Sequence, residues 1–373
     1  MDIAAFTGMD LPPVLFYVVA TRKQNNDGNT MPSDSELLAN RDDTLFRLLS
    51  AAVGDRTAAS TLAVLTIDPA LSGSGQPVSR AQVAMALNAA LFADLLERVP
   101  TAARYVDSVR EAGETIAFDH GALRTIDGET GALPRGHEGF GRFLRPLGYE
   151  VGGLYPLPRL KMTGRAYVQR DLPETVPQFF VSELHVDQLS EAAQAACATV
   201  FGTSADPLGE AEIAALAVLS AKGACGFEQA VTALKGALAC FGRQHEPPAL
   251  SDYEVLLSET KEGAWIATEG NAFNHATTRT ANVVALAEEL KADGYPMKPS
   301  VEVSQNGRVR QTAILADKVV RPFREADGAE VPLPVPGSFY EFITRDIDPE
   351  TGRLDLTFDS GNATGIFAVT RNA

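Results

Sequence analysis

Three short segments of the chain each place a potential metal ligand four residues before an arginine. They are His120-Gly-Ala-Leu-Arg124, His275-Ala-Thr-Thr-Arg279 and Glu341-Phe-Ile-Thr-Arg345. Positions i and i+4 share a face in a strand and in a helix, so each segment can direct a ligand and a cation to one side. Two histidines and one carboxylate form the facial triad of non-haem Fe(II) oxygenases, which leaves coordination positions open for substrate and O2. His120, His275 and Glu341 are therefore the candidate metal ligands.

The chain has only 5 histidines, so few residues compete with this triad. Glu183 and His185 lie in a later strand-like segment. His185 could replace one ligand or add a fourth, but we favour a supporting role behind the ligands, which either residue could have because the two share a face. His137 lies among arginines at a predicted helix start, and we interpret it as a surface or anion-binding residue. His245 precedes Glu-Pro-Pro and is interpreted as a loop residue.

The order of predicted elements places the triad in two copies of one unit. A strand at residues 115–120, a helix at 138–147 and strand-like runs at 149–154, 165–170 and 178–186 give the order βαβββ. A strand-like AWIATEG segment leading to NAFNHATTR, a helix at 281–292, a hairpin around Asn306-Gly307 and a strand at 337–345 repeat that order. Asn-Gly is the strongest short signal for a hairpin. In this arrangement His120 ends the first strand of one module, and His275 ends or just follows the first strand of the other.

Helical sequence precedes and separates the two modules. Residues 79–99 have apolar side chains at helical spacing behind a potential Ser79 N-cap, whereas the polar residues 22–35 predict a loop. We therefore predict an α+β fold with four regions. These are a mostly helical segment (1–112), a first βαβββ module (113–187), a helical insertion (188–262) and a second module with C-terminal strands (263–373).

Composition and motifs exclude several classes of function. The net charge of −16 disfavours non-specific binding to nucleic acids. No run approaches the about 20 apolar residues of a membrane helix, and the acidic N-terminus is unlike a secretory signal, so we expect a cytoplasmic protein. The 3 cysteines occupy apolar positions and predict inert buried thiols rather than disulfides. The nucleotide-binding glycine motifs, HExxH, CxxC and GxSxG are absent.

The segments that carry the candidate ligands resemble the 2-oxoadipate dioxygenase/decarboxylase family. The resemblance rests on FDHGALR, QFFVSEL, NHATTR, SVEVSQNGRVRQTAI and SFYEFITR, and it covers about residues 110–187 and 262–346. This family is similar in fold to the vicinal oxygen chelate superfamily, whose unit is βαβββ. The resemblance therefore implies that the two modules form an open, barrel-like sheet around a metal site.

The resemblance also implies an activity and a role for each candidate residue. It implies an Fe(II) enzyme of lysine catabolism that converts 2-oxoadipate and O2 to 2-hydroxyglutarate and CO2. His120, His275 and Glu341 would hold the metal, and Arg124 would grip the distal carboxylate of the substrate. Arginine suits that role because two parallel N–H donors fix the orientation of a carboxylate.

Two other functions fit the same residues. One is a different metal enzyme on this scaffold, such as an isomerase or an extradiol-type dioxygenase with Glu183 or His185 as a fourth ligand. The other is a non-catalytic protein that binds an anionic metabolite. Arg279 and Arg345 could contact an anion or pair with nearby acids, and we favour the structural role for both.

Overall fold

The computed structural model describes residues 42–359 and residue 361 of the 373-residue chain. The predicted loop at residues 22–35 lies outside these residues. The eleven α-helices of the described part are α1 (Thr44–Val53), α2 (Asp55–Val64), α3 (Arg80–Arg98), α4 (Pro100–Glu111), α5 (Glu138–Leu144), α6 (Glu191–Phe201), α7 (Glu210–Lys222), α8 (Phe227–Ala239), α9 (Leu250–Glu259), α10 (Lys261–Glu269) and α11 (Val283–Ala292).

The strands of the described part form one large sheet and three small ones. They are β1 (Val78–Ser79), β2 (Ala117–Asp127), β3 (Tyr149–Leu157), β4 (Met162–Gln169), β5 (Gln178–His185), β6 (Ala224–Cys225), β7 (His275–Arg279), β8 (Glu302–Val303), β9 (Val309–Ile314), β10 (Lys318–Arg324), β11 (Glu330–Pro336), β12 (Phe339–Arg345), β13 (Ile347–Asp348) and β14 (Arg353–Leu354).

The large sheet confirms the duplicated βαβββ unit. Its eight strands follow the order β3-β4-β5-β2-β7-β12-β9-β8 and curl into a half-barrel. In one half β2 pairs in parallel with β5, and in the other half β7 pairs in parallel with β12. The two halves meet where β2 and β7 run antiparallel. The first strands of the two modules, β2 and β7, are thus at the centre of the sheet. A pseudo-twofold axis between them relates the two halves of the sheet.

The register defines which residues of the two modules are equivalent. Across β2 and β7, His120 faces Thr277 and Ala122 faces His275. A twofold rotation therefore exchanges His120 with His275, and it also exchanges Arg124 with Arg279, because each arginine follows its histidine by four residues. The repeated H-x-x-x-R spacing is a consequence of this symmetry.

The predicted helix at residues 79–99 is confirmed as α3. The Ser79 hydroxyl accepts a hydrogen bond from the backbone of Gln82, and the Gln82 side chain accepts one from the backbone of Ser79, which forms a capping box. Helices α3 and α4 cover one face of the sheet, where Phe92 packs 5.3 Å from Phe118 and Tyr105 packs 5.5 Å from Tyr340 (ring centroids). The opposite face of the sheet is left for the cavity described below.

The prediction of a strand at AWIATEG was wrong, because this segment lies in α10. A short apolar run that is buried on all sides is compatible with either element. Residues at both ends of the segment favour the helix. The Thr260 side chain accepts a hydrogen bond from the backbone N–H of Gly263 at its start, and Gly270 follows its last residue at φ 64°. The predicted boundary between residues 262 and 263 falls inside this helix, and His275 begins the following strand instead of ending one.

Two further differences concern the strands. His120 does not end the first strand, since β2 continues to Asp127 through buried residues. The hairpin of β10 and β11 was not predicted, and it lies outside the large sheet. By contrast, the hairpin of β8 and β9 is confirmed, with Gly307 at φ 73° in its turn.

The three cysteines are buried and form no disulfide. Across residues 42–359 and 361, every helix is too short or too polar to span a membrane.

Candidate metal centre

The three candidate ligands lie on three adjacent strands of the large sheet. Thr277 on β7 faces His120 on β2 and also faces Glu341 on β12. Residues opposite each other on neighbouring strands share a face, and His275 shares that face because it precedes Thr277 by two residues. The register of the sheet therefore brings together side chains that are 66 to 221 positions apart in the sequence.

The side chains converge on one carboxylate oxygen. Oε2 of Glu341 lies 3.2 Å from Nε2 of His120 and 3.3 Å from Nε2 of His275. The Thr277 hydroxyl donates a hydrogen bond to the same oxygen at 2.7 Å. The relative exposure of the three ligand side chains is 3%, 5% and 1% for His120, His275 and Glu341. These groups therefore interact in a poorly solvated environment, where electrostatic interactions are strong.

Burial and mutual charge shift the pKa values of the triad in different directions. Burial opposes ionisation of Glu341, but His275 and His120 outweigh it and hold the pKa of this carboxyl well below its usual range. Burial also opposes protonation of His120, yet hydrogen bonds to Asp119 and Glu341 raise its pKa. Burial lowers the pKa of His275, in spite of the nearby Glu341 carboxylate. An ionised carboxylate and neutral imidazoles are the forms that bind a metal.

The donor set fits a divalent metal ion. One ligand atom from each of the three residues can be chosen so that all lie within 4.8 Å of one another. The second carboxylate oxygen, Oε1 of Glu341, is buried without a hydrogen-bond partner in the described residues. A buried ionised oxygen without a partner is costly unless a cation compensates it. Two imidazole nitrogens and one carboxylate are the ligands of the facial triad.

A polar side chain immediately before each histidine orients its ring. Nδ1 of His120 lies 2.8 Å from Oδ1 of Asp119, and Nδ1 of His275 lies 3.1 Å from Oδ1 of Asn274. Each contact directs the proton of the ring to Nδ1 and leaves Nε2 for a metal. Asp119 and Asn274 are equivalent under the pseudo-twofold axis, although one is a carboxylate and the other an amide.

A phenylalanine occupies the position where a fourth ligand would complete the symmetry. Phe339 is the parallel partner of His275, and Gln178 is the parallel partner of His120. Glu341 follows Phe339 by two residues, so its equivalent is Phe180, two residues after Gln178. Phe180 lines the cavity at the metal centre. The candidate ligand set thus has three residues, with an apolar side chain at the fourth symmetric position.

The alternative ligands Glu183 and His185 lie on the other face of β5, since Phe180 and Ser182 are the residues of this strand that face the cavity. Glu183 accepts hydrogen bonds from Arg165 and from the backbone of His137. With Asp127 the two residues form a separate cluster whose ligand atoms lie within 4.8 Å of one another. This placement agrees with the interpretation that neither residue is a ligand of the triad, and it also separates both residues from the triad ligands.

A cavity lies beside the triad. Its walls combine the candidate metal ligands with apolar side chains and several polar ones. The lining residues are His120, Ala122, Leu123, Arg124, Phe180, Ser182, Asn274, His275, Gln311, Glu341, Phe358 and Asp359.

Arg124 lies in the cavity wall and is fully buried, with 1% of its side chain exposed. Nη1 of Arg124 is 2.8 Å from Oε2 of Glu262, which is itself 2% exposed. The guanidinium carbon lies 4.8 Å from the ring centroid of Trp265. Both partners come from α10, the helix that the sequence pattern did not predict. Ser182 on β5 is the strand partner of Arg124, so it faces the same side.

The other arginines and histidines singled out by sequence lie outside the cavity. Arg345 pairs with Asp119 behind His120, and Arg279 donates hydrogen bonds to the backbone carbonyl of Glu174. His137 precedes α5 and contacts the Tyr167 hydroxyl at 2.9 Å. His245 is buried, with each ring nitrogen near a backbone carbonyl.

Sequence reasoning missed Asp119, Asn274, Glu262 and Phe180. The first two carried a readable signal, because FDHGALR and FNHATTR share a phenylalanine, an Asp or Asn and the histidine. The glycine of the first segment also has a structural reason. A Cβ on Gly121 would lie 1.5 Å from Cζ of Phe273, so no side chain fits there.

Comparisons with known proteins agree with this architecture. The profile of the 2-oxoadipate dioxygenase/decarboxylase family matches residues 81–353. The 2-oxoadipate dioxygenase/decarboxylase of Oryza sativa is 26% identical over 306 residues, which are 74% of this chain and 76% of the relative. The corresponding Arabidopsis thaliana protein is 25% identical, with 74% of each chain covered.

Solved structures are similar to this chain over most of its length. A putative glyoxalase superfamily protein from Ralstonia eutropha superimposes with a TM-score of 0.81 at 48% identity, over 85% of this chain and 99% of the other. The hydroxyglutarate synthase of Oryza sativa, solved in complex with 2-oxoadipate, superimposes with a TM-score of 0.62 at 24% identity, over 80% and 98%. The second likeness concerns the fold alone. Because the family profile covers most of the chain, this protein belongs to the 2-oxoadipate dioxygenase/decarboxylase family.

Proposed function

We propose that this protein is an Fe(II)-dependent oxygenase that converts 2-oxoadipate and O2 to 2-hydroxyglutarate and CO2, a step of lysine catabolism. The observation that carries the proposal is the triad of His120, His275 and Glu341 in the wall of a cavity that also contains Arg124. When bound, Fe(II) would supply the redox chemistry with O2 and an anchor for the 2-oxo and carboxylate oxygens of the substrate.

The protein's own residues would hold and orient the substrate. A dicarboxylate anchored at the triad needs a cation at its far end, and Arg124 supplies one within the same cavity. Trp265 and Glu262 restrict the guanidinium, so little conformational freedom remains to be lost on binding. Such orientation determines which carbon of the substrate is exposed to oxidation.

Apolar residues around the triad favour the proposed chemistry over a four-ligand mechanism. Phe180 and Phe358 lie 4.8 Å apart, and Phe358 also packs 4.8 Å from His120 (ring centroids). Phe358 packs against one ligand ring, and Phe180 leaves the fourth symmetric position without a donor. This supports an oxygenase with open coordination positions over an isomerase that surrounds its metal with four protein ligands.

Anaerobic reconstitution tests the proposal. The chain is loaded with Fe(II), 2-oxoadipate is added, and O2 uptake is followed together with mass analysis of the product. We expect stoichiometric formation of 2-hydroxyglutarate and CO2. His120→Ala, His275→Ala and Glu341→Ala should each lose iron and O2 uptake. His185→Ala is the matched control, and it should retain both because His185 lies on the other face of β5.

Substrate selectivity tests the role of Arg124. Arg124→Ala should raise KM for 2-oxoadipate far more than KM for 2-oxohexanoate, which lacks the distal charge. Equal losses on both acids would contradict a distal-carboxylate role. Full turnover by any triad variant, or no O2 uptake by the wild type with 2-oxoadipate, would refute the assignment itself.

A further inference from the structure

Asn274 has a buried amide whose nitrogen lacks a partner. The residue is 2% exposed, lies directly before His275 and lines the cavity. Its Oδ1 is 3.1 Å from Nδ1 of His275. Its Nδ2 is buried and has no hydrogen-bond partner in the part of the chain that the structure describes. Buried amide donors are almost always satisfied, so this group requires an explanation.

The position of the proton on the His275 ring determines the orientation of the Asn274 amide group. Nε2 of His275 faces Glu341, so Nε2 is the atom available to a metal and Nδ1 must carry the proton. A protonated Nδ1 is a donor, and only the oxygen of the Asn274 amide can accept from it. Exchanging oxygen and nitrogen would place two donors against each other. The NH2 group of Asn274 therefore points away from the ring.

Comparison with the other module indicates that the amide nitrogen of Asn274 has a role besides orienting His275. Asp119, the pseudo-twofold equivalent, orients His120 with a carboxylate, and Arg345 neutralises that charge. A carboxylate at position 274 would orient His275 equally well. The amide differs from it in two ways, because it adds a donor and carries no charge. Both differences favour an anion in the cavity next to the triad.

We propose that Nδ2 of Asn274 donates a hydrogen bond to an oxygen of the 2-oxo acid head group, the end of the substrate that is anchored at the triad. This inference rests on the proposed function and adds a substrate-positioning residue to it. Arg124 and Asn274 then have separate tasks in the same cavity. Arg124 recognises the distal carboxylate, and Asn274 recognises the end common to all 2-oxo acids.

Two variants separate this role from simple support of the histidine. Asn274→Asp keeps the oxygen that accepts from His275 and the size of the side chain, but it replaces the donor with an anionic acceptor. Asn274→Ala removes both. Three quantities are measured: bound Fe(II), the melting temperature, and the anaerobic affinity for 2-oxoadipate and for pyruvate, which consists of little more than the head group.

We expect Asn274→Asp to bind Fe(II) as well as the wild type and to bind both acids at least tenfold more weakly. Asn274→Ala should bind the acids more weakly as well, and it should also lose affinity for Fe(II). Because the carboxylate of Asn274→Asp also repels an anion, the neutral variant is decisive. If Asn274 only orients His275, iron-loaded Asn274→Ala will bind both acids like the wild type, and that result would overturn the proposal. Unchanged acid binding by Asn274→Asp would overturn it equally.

The outcome is distinguishable from failure of the proposed function. A wild type that binds 2-oxo acids without O2-dependent decarboxylation would refute the oxygenase assignment and leave the binding comparison valid. A wild type that binds neither acid would refute both. Weaker binding of both acids by the Asn274 variants, together with O2-dependent decarboxylation by the wild type, supports the role of Asn274 and the oxygenase assignment.

Discussion

Arg345 and Asp119 form a buried ion pair directly behind His120, a histidine of the candidate metal centre. Nε of Arg345 lies 3.0 Å from each oxygen of Asp119, and the two side chains are 0% and 1% exposed. Burial opposes ionisation of Asp119, but Arg345 and His120 outweigh it and lower the pKa of this carboxyl. Arg345 also donates to the backbone carbonyl of Thr357, next to the Phe358 that packs on His120. One arginine thus supports the ligand and the segment that covers it.

This arrangement predicts that Asp119→Asn weakens metal binding. The amide cannot balance Arg345, and it is a poorer acceptor for the His120 ring proton. Loss of such an orienting partner costs about 10–100-fold in metal affinity. Calorimetric titration with Fe(II) under anaerobic conditions measures the change. Asp127→Asn is the matched control, because Asp127 contacts His185 in the same way, at 3.2 Å, outside the cavity. Equal metal affinity in both variants would contradict the role of Asp119.

The pairing of Glu262 with Arg124 predicts an effect on substrate charge. Glu262 already neutralises the guanidinium, so a distal carboxylate enters a site without excess positive charge. In Glu262→Gln the buried arginine lacks its counter-charge, which destabilises the empty protein. We expect 2-oxoadipate to bind about tenfold more tightly to this variant and to raise its melting temperature more than that of the wild type.

The matched ligand for this experiment is 2-oxohexanoate, whose distal end is uncharged. It should bind the wild type and Glu262→Gln with similar affinity. The ratio of the affinities for 2-oxoadipate and 2-oxohexanoate reports the effect of the distal charge, because a general loosening of the cavity would weaken the binding of both acids. A variant with unchanged preference between the two acids would show that Glu262 does not influence recognition of the distal group.

The candidate ligands could be predicted because one spacing recurs in the sequence. His120 and His275 each precede an arginine by four residues, and Glu341 does so on the last predicted strand of the second module. Asp119 and Asn274 were within reach, since aligning FDH with FNH reveals them. Glu262 was not, because its segment is a fully buried helix whose apolar pattern is also compatible with a strand. Phe180 depends on strand register, which is set by tertiary packing that a single sequence does not specify.

The symmetric position of Phe180 makes a prediction about the number of ligands. Phe180→Glu would place a second carboxylate at the position that is equivalent to Glu341 in the other module. Without metal this buried charge destabilises the protein, whereas a bound divalent ion compensates it. We expect a lower melting temperature for the metal-free variant, a larger increase on adding Zn²⁺, and loss of O2 uptake because an open position is filled.

Phe180→Leu serves as the control for this experiment. It keeps an apolar side chain and costs only part of the aromatic packing against Phe358, about 1–2 kcal/mol of stability. It should retain iron and O2 uptake. If Phe180→Glu behaves like Phe180→Leu in both, the register argument for the fourth position is wrong.

His245 predicts a loss of stability in mild acid that is independent of the metal centre. Burial lowers its pKa from 6.5 to about 4, and its ring nitrogens contact the backbone carbonyls of Glu246 and Ile266. Between these two pKa values the unfolded chain binds a proton at this residue that the folded chain does not. The free energy of unfolding therefore falls as the pH is lowered from about 6.5 to 4, by roughly 3 kcal/mol from this group.

Urea denaturation of the metal-free protein across that pH range measures the effect. His245→Gln removes the titrating group and keeps a side chain that can donate to a carbonyl. It should be less stable at neutral pH, with a shallower decline in acid. His185→Gln is the comparison, because His185 is partly exposed and contacts the Asp127 carboxylate. An unchanged slope in His245→Gln would show that His245 does not account for the acid sensitivity.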